Sequence, residues 1–206
     1  IYRNTKLVGQ FTYVSNNGGI VLYINNNSQN NIGRWMAASD VENSIVKTPE
    51  YEKANMTEKN KMLGDAAKKW IKSHPKEFLT LGFKRLYNTY FVSDDIMYST
   101  YGSNLSDNTK TIIFSVANNI RNIIFTPAVL YILIYSIVIL RAIVLRKTQL
   151  LDKFTLYIIV IFFMFTSVYF ITEGQGRYAF PEIFIMIYCF YQFIKSALYK
   201  LKELFL

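Results

Sequence analysis

Three long apolar runs fill most of residues 123–206, and they constrain the chain more than any other feature. Residues 123–140 and 154–172 carry no charge over 18 and 19 positions, and residues 178–194 carry one acid, Glu182, over 17. A bilayer-crossing helix needs about 20 predominantly apolar residues, with a range of about 17–25. Each run therefore predicts a transmembrane helix. The soluble alternative is three core helices with almost no polar face, a poor fit to so short a stretch of chain. Pro127 is expected in the first turns of the first span, where a missing N–H costs least.

The charges between the runs set an orientation. Arg141, Arg146, Lys147 and Lys153 separate the first two runs, and Lys195, Lys200 and Lys202 follow the third. Between runs two and three the only cation is Arg177. The positive-inside rule puts the Arg146/Lys147 segment and the C-terminus in the cytoplasm, and residues 1–122 outside. The net charge of +9 is largely scattered or explained by this topology, so it does not indicate nucleic-acid binding. The 34 aromatic residues exclude a disordered chain, and the single Cys189 excludes a disulfide framework. The chain opens on Ile1 with no signal peptide, so an exported polar half implies preceding spans in a longer membrane protein.

The expected architecture is a mainly α membrane protein. It comprises a small extracytoplasmic α+β region at 1–110, an interfacial helix at 111–122 with Ile112, Ile113, Val116 and Ile120 on one face, and a three-helix transmembrane region at 123–206. Residues 11–14 and 20–24 read as short strands, joined by a tight turn at Asn16-Asn17-Gly18-Gly19. Asn25, Asn26 and Asn27 then read as a solvated loop. The i, i+4 spacing of Met62, Leu63, Ala66, Ala67, Trp70 and Ile71 predicts an amphipathic helix over 58–73. His74-Pro75 breaks it, and Pro75 opens a second helix to about residue 91. Leu79, Phe83, Leu86, Tyr87 and Tyr90 form its expected apolar face, with Lys84 and Arg85 on the other side. The stretch 93–108, with Asp94-Asp95, reads as a solvated loop.

The sequence has no Gly-rich phosphate loop, no Cys/His metal set and no HExxH, and its one histidine, His74, sits at a helix junction. One constellation stands out at the outer mouth between runs two and three: Glu173, Arg177 and Tyr178, followed by Pro181 and Glu182. Charges this close to hydrocarbon favour a site. Arg177 suits a phosphate through charge-assisted hydrogen bonds. An internal Glu173–Arg177 salt bridge explains the same residues equally well.

Several motifs, in order, carry a resemblance. They are Arg3-Asn4; the stretch Ser15-Asn16-Asn17-Gly18-Gly19-Ile20-Val21-Leu22-Tyr23-Ile24-Asn25-Asn26-Asn27; the helix pair around Ile71-Lys72-Ser73-His74-Pro75-Lys76-Glu77-Phe78; and Glu173 with Arg177-Tyr178 and Pro181. Together they resemble the C-terminal portion of GT-C type glycosyltransferases that use polyprenyl-phosphate sugars, the group of the protein mannosyltransferases and lipid A aminoarabinose transferases. The interval from Glu173 to Arg177 is two residues longer than the family's Glu-x-Arg-Tyr-x-x-Pro pattern. The resemblance implies an inverting transfer on the outer face of a membrane, expected to be the bacterial plasma membrane. It implies a polyprenyl-phosphate-linked sugar, membrane lipid and the missing N-terminal transmembrane region as partners. The catalytic acid would lie in that missing region, so the chain alone would be inactive. Arg177, Tyr178, Glu173, Arg3, Asn25, Asn26 and Asn27 are the candidate substrate-binding residues, none of them catalytic. The cofactor is left open, a divalent metal being one option. A membrane-anchored recognition or sensor domain is the main alternative, and a transporter or flippase fragment a second.

Overall fold

The structure is a computed structural model that describes residues 1–9, 11, 16–92 and 99–205. The described residues are mainly helical and contain no strand. The chain divides into two compact units: residues 1–86 with 169–174, and residues 87–168 with 175–206.

In the first unit, α1 (Tyr2–Val8) and α2 (Gly18–Asn25) precede α3 (Pro49–Lys53), α4 (Met56–Ser73) and the greater part of α5 (Pro75–Phe91). Residues 20–24 are helical, which corrects the expected strand and turn; of the other expected strand, 12–14 lie outside the described residues. The cause is tertiary. The Asn60 side chain on α4 accepts from Gly19 N at 2.7 Å and Ile20 N at 3.3 Å, satisfying first-turn donors of α2 that its own N-cap, Asn17, leaves alone. The close approach needs glycine, because a Cβ at Gly19 would overlap the Asn60 carbonyl. At the other end, the amides of Asn25, Asn26 and Asn27 donate to the carbonyls of Val21, Leu22 and Tyr23 at 2.9, 2.8 and 3.0 Å. A helix of eight Val/Ile/Tyr-rich residues, poor in intrinsic propensity, is thus held at both ends by asparagines. Its buried face, Tyr23 and Ile24, packs with Val41, Leu63 and Ala67.

The predicted helix pair is present. α4 begins with a capping box in which Asn55 accepts from Glu58 N and Glu58 accepts from Asn55 N, both at 3.0 Å. The His74 carbonyl accepts the first bond of α5, from Phe78 N, leaving Pro75 where its missing N–H costs nothing. The face of α5 differs in part from expectation: Tyr90 is buried and Leu86 half-buried as expected, but the rest of the face is turned. Leu81, Gly82, Arg85, Asn88 and Thr89 are buried, whereas Leu79, Phe83 and Tyr87 are exposed.

In the second unit, α6 (Asp107–Val144), α7 (Lys153–Ile171, up to Val168) and α8 (Ile183–Phe205) are joined by short turns, with a 3-10 turn at Gly176–Glu182 before α8. α6 runs through 111–122 into the first apolar run without a break, so Pro127 lies inside the helix rather than in its first turns. Proline removes one ladder bond and crowds the carbonyl four residues back, and a helix of 38 residues absorbs that local cost with its other turns intact. α6 and α7 are long and apolar enough to cross a membrane. Their surfaces point the same way: Leu133, Ile134, Ile137 and Leu140 on α6, and Val160, Phe163, Met164 and Val168 on α7, are exposed. Contiguous apolar surface of this kind marks contact with lipid or protein. The third run is divided. Tyr178–Glu182 belong to the 3-10 turn, and the apolar part of α8 ends at Ile194, before Lys195. α7 is capped by Asp152, whose carboxylate accepts from Thr155 N at 2.7 Å; the Thr155 hydroxyl and backbone hold that carboxyl below its ordinary range. Cys189 is buried among the apolar residues of α8, as its sequence context implied.

Candidate functional site

In the second unit, the 3-10 turn at Gly176–Glu182 lies beside α6, and between them runs a groove of about 710 Å³. Its walls are apolar: Ile120, Ile124 and Phe125 on α6, Phe180 on the turn, and Ile183 and Ile187 on α8. Two guanidinium groups border it, Arg121 and Arg177. Arg121 is committed to the protein. It donates to the carbonyls of Tyr90 at 3.2 Å, Val92 at 3.3 Å, Gly176 at 3.0 Å, and Thr89. Three of these acceptors are at the end of α5, where a cation complements the helix dipole. Its Cζ sits 4.8 Å from the Phe125 ring centroid. Arg121 therefore locks the Gly176 end of the turn in place.

Arg177, one residue on, is exposed, and its Cζ lies 5.6 Å from the ring of Tyr178. Tyr178 is half-buried, and its N–H donates to Gln175 O at 3.0 Å. Gly176 and Ala179 on either side are buried, so the turn is anchored while Arg177 faces solvent at the groove's edge. An exposed guanidinium at the edge of an apolar trough has the chemistry to hold an anionic head attached to a hydrocarbon tail.

Glu182, at the end of the same turn, is fully buried. The Tyr90 hydroxyl donates toward its carboxylate, 3.2 Å from each oxygen, and lies 2.8 Å from Thr166 Oγ1. A buried acid with such partners orders the turn rather than facing a ligand.

The other candidates lie in the first unit. Glu173 is buried there, next to Gly174, whose N–H donates to Gly33 O at 3.3 Å. Arg3 is exposed on α1. Asn25, Asn26 and Asn27 are buried, not solvated as expected, and their amides cap α2. Asn25 and Asn26 meet Arg85, which the sequence places with Lys84 on the polar side of its helix and outside the candidate site. Its guanidinium is fully buried and donates to Asn25 O, to Asn26 Oδ1 at 2.9 Å, to Phe170 O at 2.6 Å and to Ile171 O at 3.3 Å. The Asn26 amide adds a bond to Ile171 O at 3.1 Å. Burial pulls the Arg85 pKa down to about 10. Two atoms of the node, Asn25 Oδ1 and Arg85 Nε, are buried without a partner. The signal for Arg85 was the stripe Leu81, Gly82, Arg85, Asn88, Thr89, spaced as one helix face and composed mostly of small or polar residues.

Among the described residues, no group of three or more His, Cys, Asp or Glu is placed to hold a metal ion. The paired acids Asp94 and Asp95 lie outside the described residues. No protein-family model, curated protein or solved structure matches the chain.

Proposed function

We propose that the chain is the C-terminal part of an integral-membrane glycosyltransferase of the GT-C type, one that moves a sugar from a polyprenyl-phosphate donor to an acceptor outside a bacterial plasma membrane. The observation that carries this reading is the exposed Arg177 at the edge of an apolar groove bordered by α6, one of the two helices suited to a bilayer. A polyprenyl phosphate has the matching form, an anion on a long branched hydrocarbon. The order of sequence motifs supports the same family.

In this reading α8 is the third span. Its apolar part, with the preceding turn, covers residues 178–194, and Lys195, Lys200 and Lys202 follow on the cytoplasmic side. Residues 1–122 then lie outside. The acceptor hydroxyl attacks the anomeric carbon as the bond from that carbon to the phosphate oxygen breaks. The electron pair leaves with the polyprenyl phosphate, where Arg177 offsets the growing charge. The hydroxyl proton passes to a carboxylate base in the region preceding this chain. Tyr178 holds the guanidinium through its ring face, and Arg121 and Glu182 keep the turn rigid. Glu173, Asn25, Asn26 and Asn27 act as supports rather than sugar contacts.

The test is binding of a polyprenyl phosphate to the chain in lipid nanodiscs, with the uncharged polyprenol as comparison. A charge-assisted hydrogen bond contributes about 1.5–3 kcal/mol, so Arg177→Ala should weaken phosphate binding about tenfold or more and leave polyprenol binding unchanged. Equal affinity for the two lipids, or for wild type and variant, refutes the reading.

A further inference from the structure

The first unit carries a second cleft system, unrelated to the groove. One cleft, of about 530 Å³, is lined by Ser28, Asn31, Trp70, His74, Glu77 and Lys84. A smaller one, of about 350 Å³, includes Gln29, Glu42 and Asn43. Asn27, Ser28 and Trp70 line both. The partition is built: Trp70 Nε1 donates to Ser28 Oγ at 2.8 Å, and the Asn27 Oδ1 accepts from Gln29 N at 3.0 Å and Asn30 N at 2.9 Å, fixing the loop that presents Ser28. His74 stacks on the indole at 5.1 Å and 11°, so the ring is held flat and supported. Trp70 is half-buried, so part of its ring stays accessible from the clefts.

We infer that these two clefts form a saccharide-binding site, with consecutive sugar units on either side of the Trp70–Ser28 partition. Three features select this ligand class. The aromatic platform offers an apolar face that suits the C–H face of a pyranose. Each cleft holds a carboxylate, Glu77 in one and Glu42, which also accepts from Gln29 Nε2 at 3.3 Å, in the other, and a carboxylate has the acceptor capacity for two adjacent hydroxyls. The charges are mixed: Lys76 and Lys84 share the larger cleft with Glu77, and the smaller cleft has Glu42. A site for a phosphate or a polyanion would not place a carboxylate in each chamber, and a site for a cation would not line one with two lysines. Lys84 is itself oriented by donation to Asn31 O at 2.6 Å, which keeps its stem along the cleft wall. The binding claim stands apart from the transfer reaction; only the further role of the saccharide as acceptor rests on the proposed function.

The chain has two tryptophans, Trp35 and Trp70, so Trp35→Phe leaves Trp70 as the sole indole reporter. The full-length W35F chain, in a detergent without a sugar headgroup, is titrated with maltose, cellobiose and chitobiose, and separately with inorganic phosphate. The expected result is a saturable change in Trp70 fluorescence with at least one disaccharide, weakened at least tenfold by Glu77→Ala. Glu77 is exposed in the first turn of α5, so this variant keeps the fold. The inference is overturned by no saturable response to any of the three, by a response indifferent to Glu77→Ala, or by a response to phosphate that equals the best disaccharide. None of these outcomes bears on whether the groove at Arg177 binds a polyprenyl phosphate.

Discussion

Arg85 ties α2 to residues 170–171 within the first unit, and replacing it with alanine tests how far the unit depends on that node. The side chain gives hydrogen bonds to three backbone carbonyls and one amide oxygen. Each acceptor left buried without a donor costs about 1–3 kcal/mol. The four do not add fully, because water enters the vacated volume, and the removed charge was itself disfavoured by burial. With those offsets taken from four acceptors at about 1–3 kcal/mol each, the expected value for Arg85→Ala is about 3–5 kcal/mol. For a chain of this size each kcal/mol lowers Tm by roughly 2–4 °C, which gives a drop of roughly 6–20 °C in thermal unfolding followed by circular dichroism. Hydrogen exchange should show the loss first in α2 and α5. Arg85→Lys keeps the charge without the planar fork and should recover less than half of the stability. Arg85→Met fills the volume but leaves the carbonyls unpaired, so it should resemble alanine. If Arg85→Met matches wild type, or Arg85→Ala costs less than about 1 kcal/mol, the node does not hold the unit together.

Three further perturbations follow from the packing. Gly19→Ala drives a Cβ into the Asn60 carbonyl and should destabilise by about 1–3 kcal/mol, whereas Gly18→Ala meets open space and should be neutral, as read from paired denaturation curves. Asn60→Ala leaves the first-turn donors of α2 without their acceptor and should cost about 1 kcal/mol, as the loss of a helix cap does. The Asp152 cap has a carboxyl held below its unfolded value of 3.8, so its contribution is present above that pH and fades as pH falls through the lower folded value. Asp152→Ala should therefore lower stability at pH 7 and erase that part of the acid dependence in a pH series of melting curves.

The helix pair α4/α5 was legible in the sequence because its signals are local: apolar spacing, a cap residue and a proline at the junction. Residues 20–24 were not, because β-branched residues beside Asn-Gly-Gly favour a hairpin locally. Their helix depends on Asn60, about 40 positions away. The face of α5 was misjudged for a related reason. Leu79, Phe83 and Tyr87 looked like the core, yet the carbonyls at Asn25, Phe170 and Ile171 required a donor, and Arg85 turned the polar face inward. Of the candidate site residues, the exposed position of Arg177 at the start of an apolar run is readable from the charge pattern, whereas Asn25–Asn27 give no sign that their amides are used within the fold. The capping role of Arg121 was invisible because its acceptors at residues 89–92 are distant in sequence.

The central claim is that Arg177 serves sugar transfer from a lipid-linked donor. The most direct measurement uses membranes expressing the gene with its natural upstream region, supplied with polyprenyl-phosphate sugars carrying a radiolabel. The account predicts transfer of label into an acceptor glycoconjugate, reduced at least tenfold by Arg177→Ala at unchanged protein level. Transfer that is equal in wild type and variant, or no transfer from any polyprenyl-phosphate sugar by correctly inserted protein, would contradict it.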